Sequence, residues 1–318
     1  MSVAMSGIGN SGEEAGSGRV KNAILIAGPT ASGKSALALA LAEKYGGVIA
    51  NTDSMQGYSI LDVLTARPGV EELRRVPHHL YGHVHPSVAY STGKWLRDVG
   101  KLIDAGTFVL QRPVFVGGTG LYFRALSEGI SEMPEIPSHV RDRWRYELNE
   151  QGAPRLHRIL MQEDAAAAMK LRASDGQRIV RALEVLEASG RSILSWQAER
   201  GMPLIDRDSA HFFVIEPDRE ALVERIEARF DTMLERGALD EVRQLTALGL
   251  DPALPAMKAI GVPELQAAIA GEIEFAQAIQ RAKAATRQYA KRQATWFRHQ
   301  LDERWQRVQP TESLDLTI

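Results

Sequence analysis

A chain of 318 residues, 44% hydrophobic and 25% charged, has the composition of a globular protein of about two domains. It contains no cysteine, which excludes disulfides, thiol nucleophiles and cysteine-ligated zinc and fits a reducing cytoplasm. The formal net charge of −2 gives no global pull on nucleic acid, so any such contact must come from a local patch, and no apolar run approaches the roughly 18 residues needed to cross a bilayer.

Residues 1–20, rich in Gly and Ser, lack the basic-then-apolar order of a secretory signal and read as a flexible lead. "AILIA" (23–27) is a short buried strand ending at Gly28, and "SALALALAEKY" after it is helical. "GVIAN" (47–51) and "HHLYGHV" (78–84) read as a second and a third strand. A helix over 91–106 is capped by Ser91 and ended by Gly106. "PVFVGG" (113–118) is a further strand. From about 123 to 205 the periodicity is helical, and "AHFFVIEP" (210–217) returns to a strand. Helices follow over 218–300, with a late strand at 304–310. Alternating strands and helices predict a parallel sheet covered on both faces. The expected architecture is therefore an α/β phosphate-loop core (21–122 and 206–318) interrupted by an all-helical insertion (123–205).

Between the first strand and first helix lies "GPTASGKS", a G-x-x-x-x-G-K-[ST] loop comprising Gly28, Pro29, Thr30, Ala31, Ser32, Gly33, Lys34 and Ser35. Backbone N–H groups and the helix N-terminus of such a loop converge on phosphate oxygens. Lys34 adds a positive charge, and the Ser35 hydroxyl suits Mg²⁺. The loop alone does not say whether the polyphosphate is a nucleotide or another diphosphate. A nucleotide hydrolase also wants an acid at the end of a neighbouring strand. Here "PVFVGGTGLY" ends in glycines and Thr119. The nearest strand-end acid is Asp53 in "NTDSMQGY". Strand carboxyl ends line the ligand crevice of an open α/β sheet, which puts Asp53 near the loop as a base or as an anchor for metal-bound water.

Residues 275–301 hold six Lys or Arg (281, 283, 287, 291, 292, 298) and no Asp or Glu. On a helix, Lys283, Arg287, Lys291 and Arg298 share one face, flanked by Arg281 and Arg292, with apolar residues opposite. The pattern reads as phosphate contact; the alternative is an ordinary amphipathic surface helix.

"GPTASGKS", "DSMQ", "VPHHL", "GGTGLY", "QRIVRALEV", "KAIG" and "TRQYAKRQATWFR" occur in this order over roughly residues 23–300. In this the sequence resembles the tRNA dimethylallyltransferase (tRNA isopentenyltransferase) family in its compact bacterial form. The resemblance implies transfer of a dimethylallyl group from dimethylallyl diphosphate to N6 of an adenosine beside the anticodon of tRNA, in a Mg²⁺-dependent cytoplasmic enzyme. The phosphate loop then holds the leaving diphosphate, with Lys34 stabilising its charge. Asp53 becomes the general base, with a helix cap or magnesium anchor as the other reading.

By the same resemblance Thr119 touches the adenosine or the donor, unless it merely caps the following helix. Ser54, Met55 and Gln56 fall in an RNA-contacting stretch, where the Gln56 amide either reads an adenine edge or sits in a solvated turn. Arg141, Gln177, Arg178, Ile179, Val180, Arg181 and Lys258 join the basic-helix residues Arg287, Lys291 and Arg292 as tRNA contacts. The other reading of Arg178 and Arg181 is ion pairing with Asp142, Asp175 or Glu184. Arg225 and Arg229, one turn apart, are within reach of the diphosphate. His78, His79, His83 and His85 read as strand-end structural residues rather than a zinc site.

Departures from the family pattern are Gly57 before Tyr58, Ser59 in place of a basic residue, Tyr81-Gly82 in place of an apolar-acidic pair, and Val262 in place of a common aromatic. Nothing demands more than a monomer. The rival readings are a prenyltransferase for free adenosine phosphates, a nucleotide kinase of the same core fold, and an RNA-binding protein with a vestigial loop.

Overall fold

The computed structural model describes residues 19–199, 201–310 and 314. The expected lead lies outside these except for Arg19 and Val20. Val20 is buried and bridges Ile205, so the described chain enters the fold there.

In chain order the elements are β1 (Ile24–Ala27), α1 (Lys34–Lys44), β2 (Gly47–Asn51), α2 (Val70–Arg75), β3 (His78–His79), α3 (Thr92–Asp104), β4 (Arg112–Gly117), α4 (Gly120–Glu128), α5 (Ser138–Glu163), α6 (Ala165–Ala168), α7 (Gly176–Ser189), α8 (Ile193–Ala198), β5 (His211–Ile215), α9 (Arg219–Glu235), α10 (Ala238–Ala247), α11 (Val262–Ile269), α12 (Phe275–Gln300) and β6 (Trp305–Val308). The strands form one parallel sheet in the order β3-β2-β4-β1-β5-β6.

The four residues of β1 are wholly buried because helices cover both sheet faces. Alternate side chains divide between them. Leu25, Phe115 and Phe212 pack with Trp95, Tyr122, Phe123 and Phe297 from α3, α4 and α12. Ile24, Ile26, Val114 and Phe213 pack with Leu39 and Leu41 from α1. This is the two-residue strand period expressed in three dimensions.

The expected strand at 78–84 is cut to His78–His79. Leu80 and Gly82 both have positive φ, +66° and +57°, which turns the chain out of the sheet, and Val84 bridges Tyr58 instead. The helix expected at 91–106 is α3, with Ser91 Oγ accepting the Lys94 N–H at 3.3 Å and Gly106 in the left-handed region at φ +74°.

Every regular element between β4 and β5 is helical among the described residues. The expected boundary at 123 falls inside α4, whose Phe123 and Leu126 belong to the sheet core. A separate core starts at Ile136 and gathers Val140, Trp144, Leu156, Leu160, Ile179, Val180 and Leu183. Leu156 and Leu160 are fully buried, each contributing about 1.5–3 kcal/mol of transfer free energy. A further cluster joins α9–α12 to the segment 58–64.

Candidate active site

The sheet order puts three loops at neighbouring strand ends: 28–33 after β1, 52–56 after β2, and 117–119 after β4. In the first, Ala31 (φ +61°) and Gly33 (φ +92°) curl the backbone, and α1 starts at Lys34. The chain approaches itself so closely that a Cβ on Gly28 would stand 2.6 Å from Ser32 Oγ. Lys34 is buried with its Nζ 3.3 Å from the Pro29 carbonyl. Burial pushes its pKa down to about 8, against an upward pull from Asp53 and with a smaller downward push from Arg229. Ser35 is exposed on a recess of about 320 Å³ that Arg225 and Arg229 also line.

Asn51 organises the second loop. Its side chain accepts the Asp53 N–H at 2.8 Å and donates to the Asp53 and Leu80 carbonyls at 2.9 and 3.0 Å. The Trp95 indole N–H donates to the Asn51 carbonyl at 2.9 Å, anchoring the turn from α3. Asp53 Oδ1 accepts the Met55 N–H at 3.0 Å.

The third loop needs its glycines for close approach. A Cβ on Gly117 would lie 2.1 Å from the Thr52 carbonyl carbon, and one on Gly118 would lie 3.1 Å from Asp53 Oδ2. Thr119 makes no side-chain cap for α4. Its Oγ1 instead accepts the Ser54 N–H at 3.0 Å and donates to Ser54 Oγ at 3.3 Å, tying the β2 and β4 ends together.

The first two loops open onto one cavity of about 370 Å³, lined by Thr30, Ala31, Asp53, Ser54, Met55, Arg229, Lys258, Tyr289 and Arg292 among others. Arg229 lines this cavity and the recess beside the phosphate loop, so it stands between carboxylate and anion nest. Burial lowers its pKa, and Asp53 partly restores it. The Tyr289 phenol is pushed up by burial and then by Asp53.

The expected RNA residues separate. Met55, Ser54, Lys258 and Arg292 border the cavity. The Gln56 amide is not on its wall: it donates to the Thr65 and Ala66 carbonyls at 2.9 and 3.0 Å. Ile179 and Val180, expected to touch RNA, are core residues of the helical cluster, a correction that follows from their apolar side of α7. Gln177 and Arg178 are exposed and Arg141 is half-buried. Arg178 lies 3.5 Å from Asp175, and Arg181 lies 3.3 Å from Glu184, which agrees with the ion-pair reading.

The basic face of α12 is also divided. Lys283 is buried against Asp231 at 2.7 Å, and Arg287 meets Glu227 at 2.6 Å, both on α9, whereas Lys291, Arg292 and Arg298 are exposed. Residues that sequence reasoning passed over are Gln293, Tyr289 and Glu241. Gln293 had a readable signal: a polar side chain three residues after Ala290 and four before Phe297, on the stripe that docks.

The histidines take separate partners. His78 meets the Val76 carbonyl, His85 meets Ser87, and His83 meets Tyr90 and Asp98, the last an acid that its distance in sequence concealed. Among the described residues no group of three His, Cys, Asp or Glu is placed to hold a metal. A magnesium ion that travels with a diphosphate needs only one or two protein oxygens, and the Ser35 hydroxyl beside the anion nest suits that role.

Fold and loop together define an α/β protein of the phosphate-loop class, with a carboxylate and the phosphate loop on adjoining spaces that Arg229 joins. Residues 56–300 match the IPP transferase family model and residues 21–81 match that of isopentenyl transferase. The chain is 74% identical to a tRNA dimethylallyltransferase of Mesorhizobium japonicum, over 99% of this chain and 98% of that one. It is 60% identical to a tRNA dimethylallyltransferase of Chelativorans sp., over 91% and 99%. Among solved structures it resembles the full-length tRNA isopentenylpyrophosphate transferase of Bacillus halodurans (30% identity, TM-score 0.65, 91% and 90% covered). It also resembles a eukaryotic dimethylallyltransferase captured acting on tRNA (30% identity, TM-score 0.72, 87% and 70% covered). This chain belongs to the IPP transferase family.

Proposed function

We propose that the protein transfers a dimethylallyl group from dimethylallyl diphosphate to N6 of an adenosine adjacent to the anticodon of tRNA, releasing diphosphate. The observation that carries this reading is that Arg229 lines both the cavity of Asp53 and Thr30 and the adjoining recess of Lys34 and Ser35, so that a carboxylate and an anion nest adjoin.

The chemistry follows from charge. The N6 lone pair attacks the terminal allylic carbon, the C–O bond breaks, and its electron pair leaves on the diphosphate. Fixed loop N–H groups, Lys34 and Arg229 stabilise that charge where it develops. The N6 amine is a weak nucleophile because its lone pair is conjugated into the ring. Asp53 accepts the N6 proton during attack, a contribution typically worth about 10²–10⁴-fold. Ser35 would hold Mg²⁺, which supplies further neutralisation of the leaving diphosphate. Thr119 and Ser54 present hydroxyls beside the carboxylate. The target base must leave its stack to enter the cavity, which costs a few kcal/mol. The exposed cations of α12, together with Arg141, Gln177, Arg178 and Lys258, supply phosphate and base contacts with the anticodon arm, and one chain suffices for the site.

The test is to incubate unmodified tRNA with labelled dimethylallyl diphosphate, with AMP and ATP in parallel. Label in an anticodon-loop adenosine supports the reading. Equal turnover of AMP points to a small-molecule prenyltransferase, and phosphate transfer from ATP without prenyl product points to a kinase.

A further inference from the structure

Gln293 is 6% exposed and sits on the docking stripe of α12, over the junction of two strand-end loops. Its Oε1 accepts the Thr30 N–H at 2.9 Å, in the phosphate loop after β1. Its Nε2 donates to the Gly118 carbonyl at 2.9 Å, in the loop after β4. The approach leaves no slack: a Cβ on Gly118 would stand 2.2 Å from Nε2, and one on Gly120 would stand 2.1 Å from the Trp296 ring. A primary amide is suited to this place because one planar group offers an acceptor to one loop and a donor to the other. A glutamate has no donor for the Gly118 carbonyl, and a methionine of similar length has neither group.

We propose that Gln293 is a positioning residue that sets the diphosphate-holding loop against the Gly118–Thr119 loop. It thereby fixes the spacing between leaving group and base. The Thr30 side of the bridge borders the anion nest. The Gly118 side borders Asp53 Oδ2 and Thr119, which is bonded to Ser54. The spacing is set before either substrate arrives, and reacting groups displaced by about 1 Å lose on the order of 10²-fold in rate. The idea rests on the transfer reaction proposed above for its kinetic part, but its structural part is read by diphosphate binding alone.

The experiment compares wild type with Gln293→Met and Gln293→Glu. Three quantities are measured: the stoichiometry and affinity of an anticodon stem-loop, the affinity for inorganic diphosphate with Mg²⁺, and kcat for prenyl transfer per stem-loop-binding site. The expected result is unchanged stem-loop stoichiometry and affinity within twofold, because the exposed face of α12 is untouched. Diphosphate affinity should fall at least fivefold and kcat at least tenfold in both variants. Diphosphate affinity and kcat per binding site within twofold of wild type would overturn the proposal. So would loss of stem-loop binding in both variants, which would make Gln293 a folding residue. If wild type forms no prenyl product while the variants still lose diphosphate affinity, the reaction assignment fails and the role of Gln293 stands.

Discussion

Thr119 Oγ1 accepts the backbone N–H of Ser54 at 3.0 Å, a bond that closes the β2 and β4 loops around Asp53. Thr119→Val keeps the shape but leaves that N–H without its acceptor, at a cost of about 1–3 kcal/mol. The expected outcome is a fall of at least tenfold in kcat/KM for prenyl transfer, with Thr119→Ser within threefold of wild type. Steady-state kinetics on an anticodon stem-loop checks both.

Lys34 predicts a proton linkage. In the free protein burial holds its pKa at about 8, below the usual lysine value. A bound diphosphate favours the charged amine and raises it. At pH 9 the free side chain is largely neutral and the bound one charged, so binding should take up protons, and affinity should weaken as pH climbs through 8. Calorimetry of Mg²⁺-diphosphate in buffers of different ionisation enthalpy reads the uptake, and Lys34→Met should abolish this contribution. The same depressed value gives a stability effect of definite sign: below about pH 8 the buried charge costs folding stability, and between there and the unfolded lysine pKa the unfolded chain binds more protons, so that cost shrinks as pH rises.

Glu241 is buried on α10, and its carboxylate accepts the N–H groups of Asp62, Val63 and Leu64 at 2.9, 2.6 and 3.0 Å. Leu64 and Thr65 line the cavity that holds Asp53, and Gln56 holds the same segment by the Thr65 and Ala66 carbonyls. Glu241→Ala leaves three donors unanswered. Denaturant unfolding should show a loss of about 2–3 kcal/mol, together with a higher KM for the prenyl donor.

The cations of α12 should divide in function as they divide in space. Lys291→Ala with Arg298→Ala should weaken stem-loop binding. It should also flatten the dependence of log Kd on log salt by roughly 0.7 for each phosphate that is no longer neutralised. Lys283→Met removes a cation already paired with Asp231. It should lower the melting temperature and leave the salt slope unchanged.

The sequence made the sheet and the phosphate loop legible because both are local: buried β-branched runs, a glycine-spaced loop and a following helix. Asp53 was readable as a strand-end acid. What escaped was long-range. The strand at 78–84 failed at Leu80 and Gly82, where left-handed backbone outweighed an apolar run. The motif groups Ile179 and Val180 with Arg178, but their period along α7 points them into the core. The basic face of α12 looked uniformly solvated until Asp231 and Glu227, fifty to sixty residues earlier, were brought against it. Gln293 bridges two residues that lie 263 and 175 positions before it, a relation that no short window of the chain contains.

Asp53 is proposed to take the N6 proton while the neighbouring nest holds the departing diphosphate. The most direct measurement is single-turnover prenyl transfer to an anticodon stem-loop by wild type, Asp53→Ala and Asp53→Asn, with stem-loop and diphosphate affinities measured alongside. With Asp53 as base, the rate should be lower by about 10²–10⁴-fold in both variants, with both affinities within a few fold of wild type. A variant that forms prenylated product at the wild-type rate would contradict it.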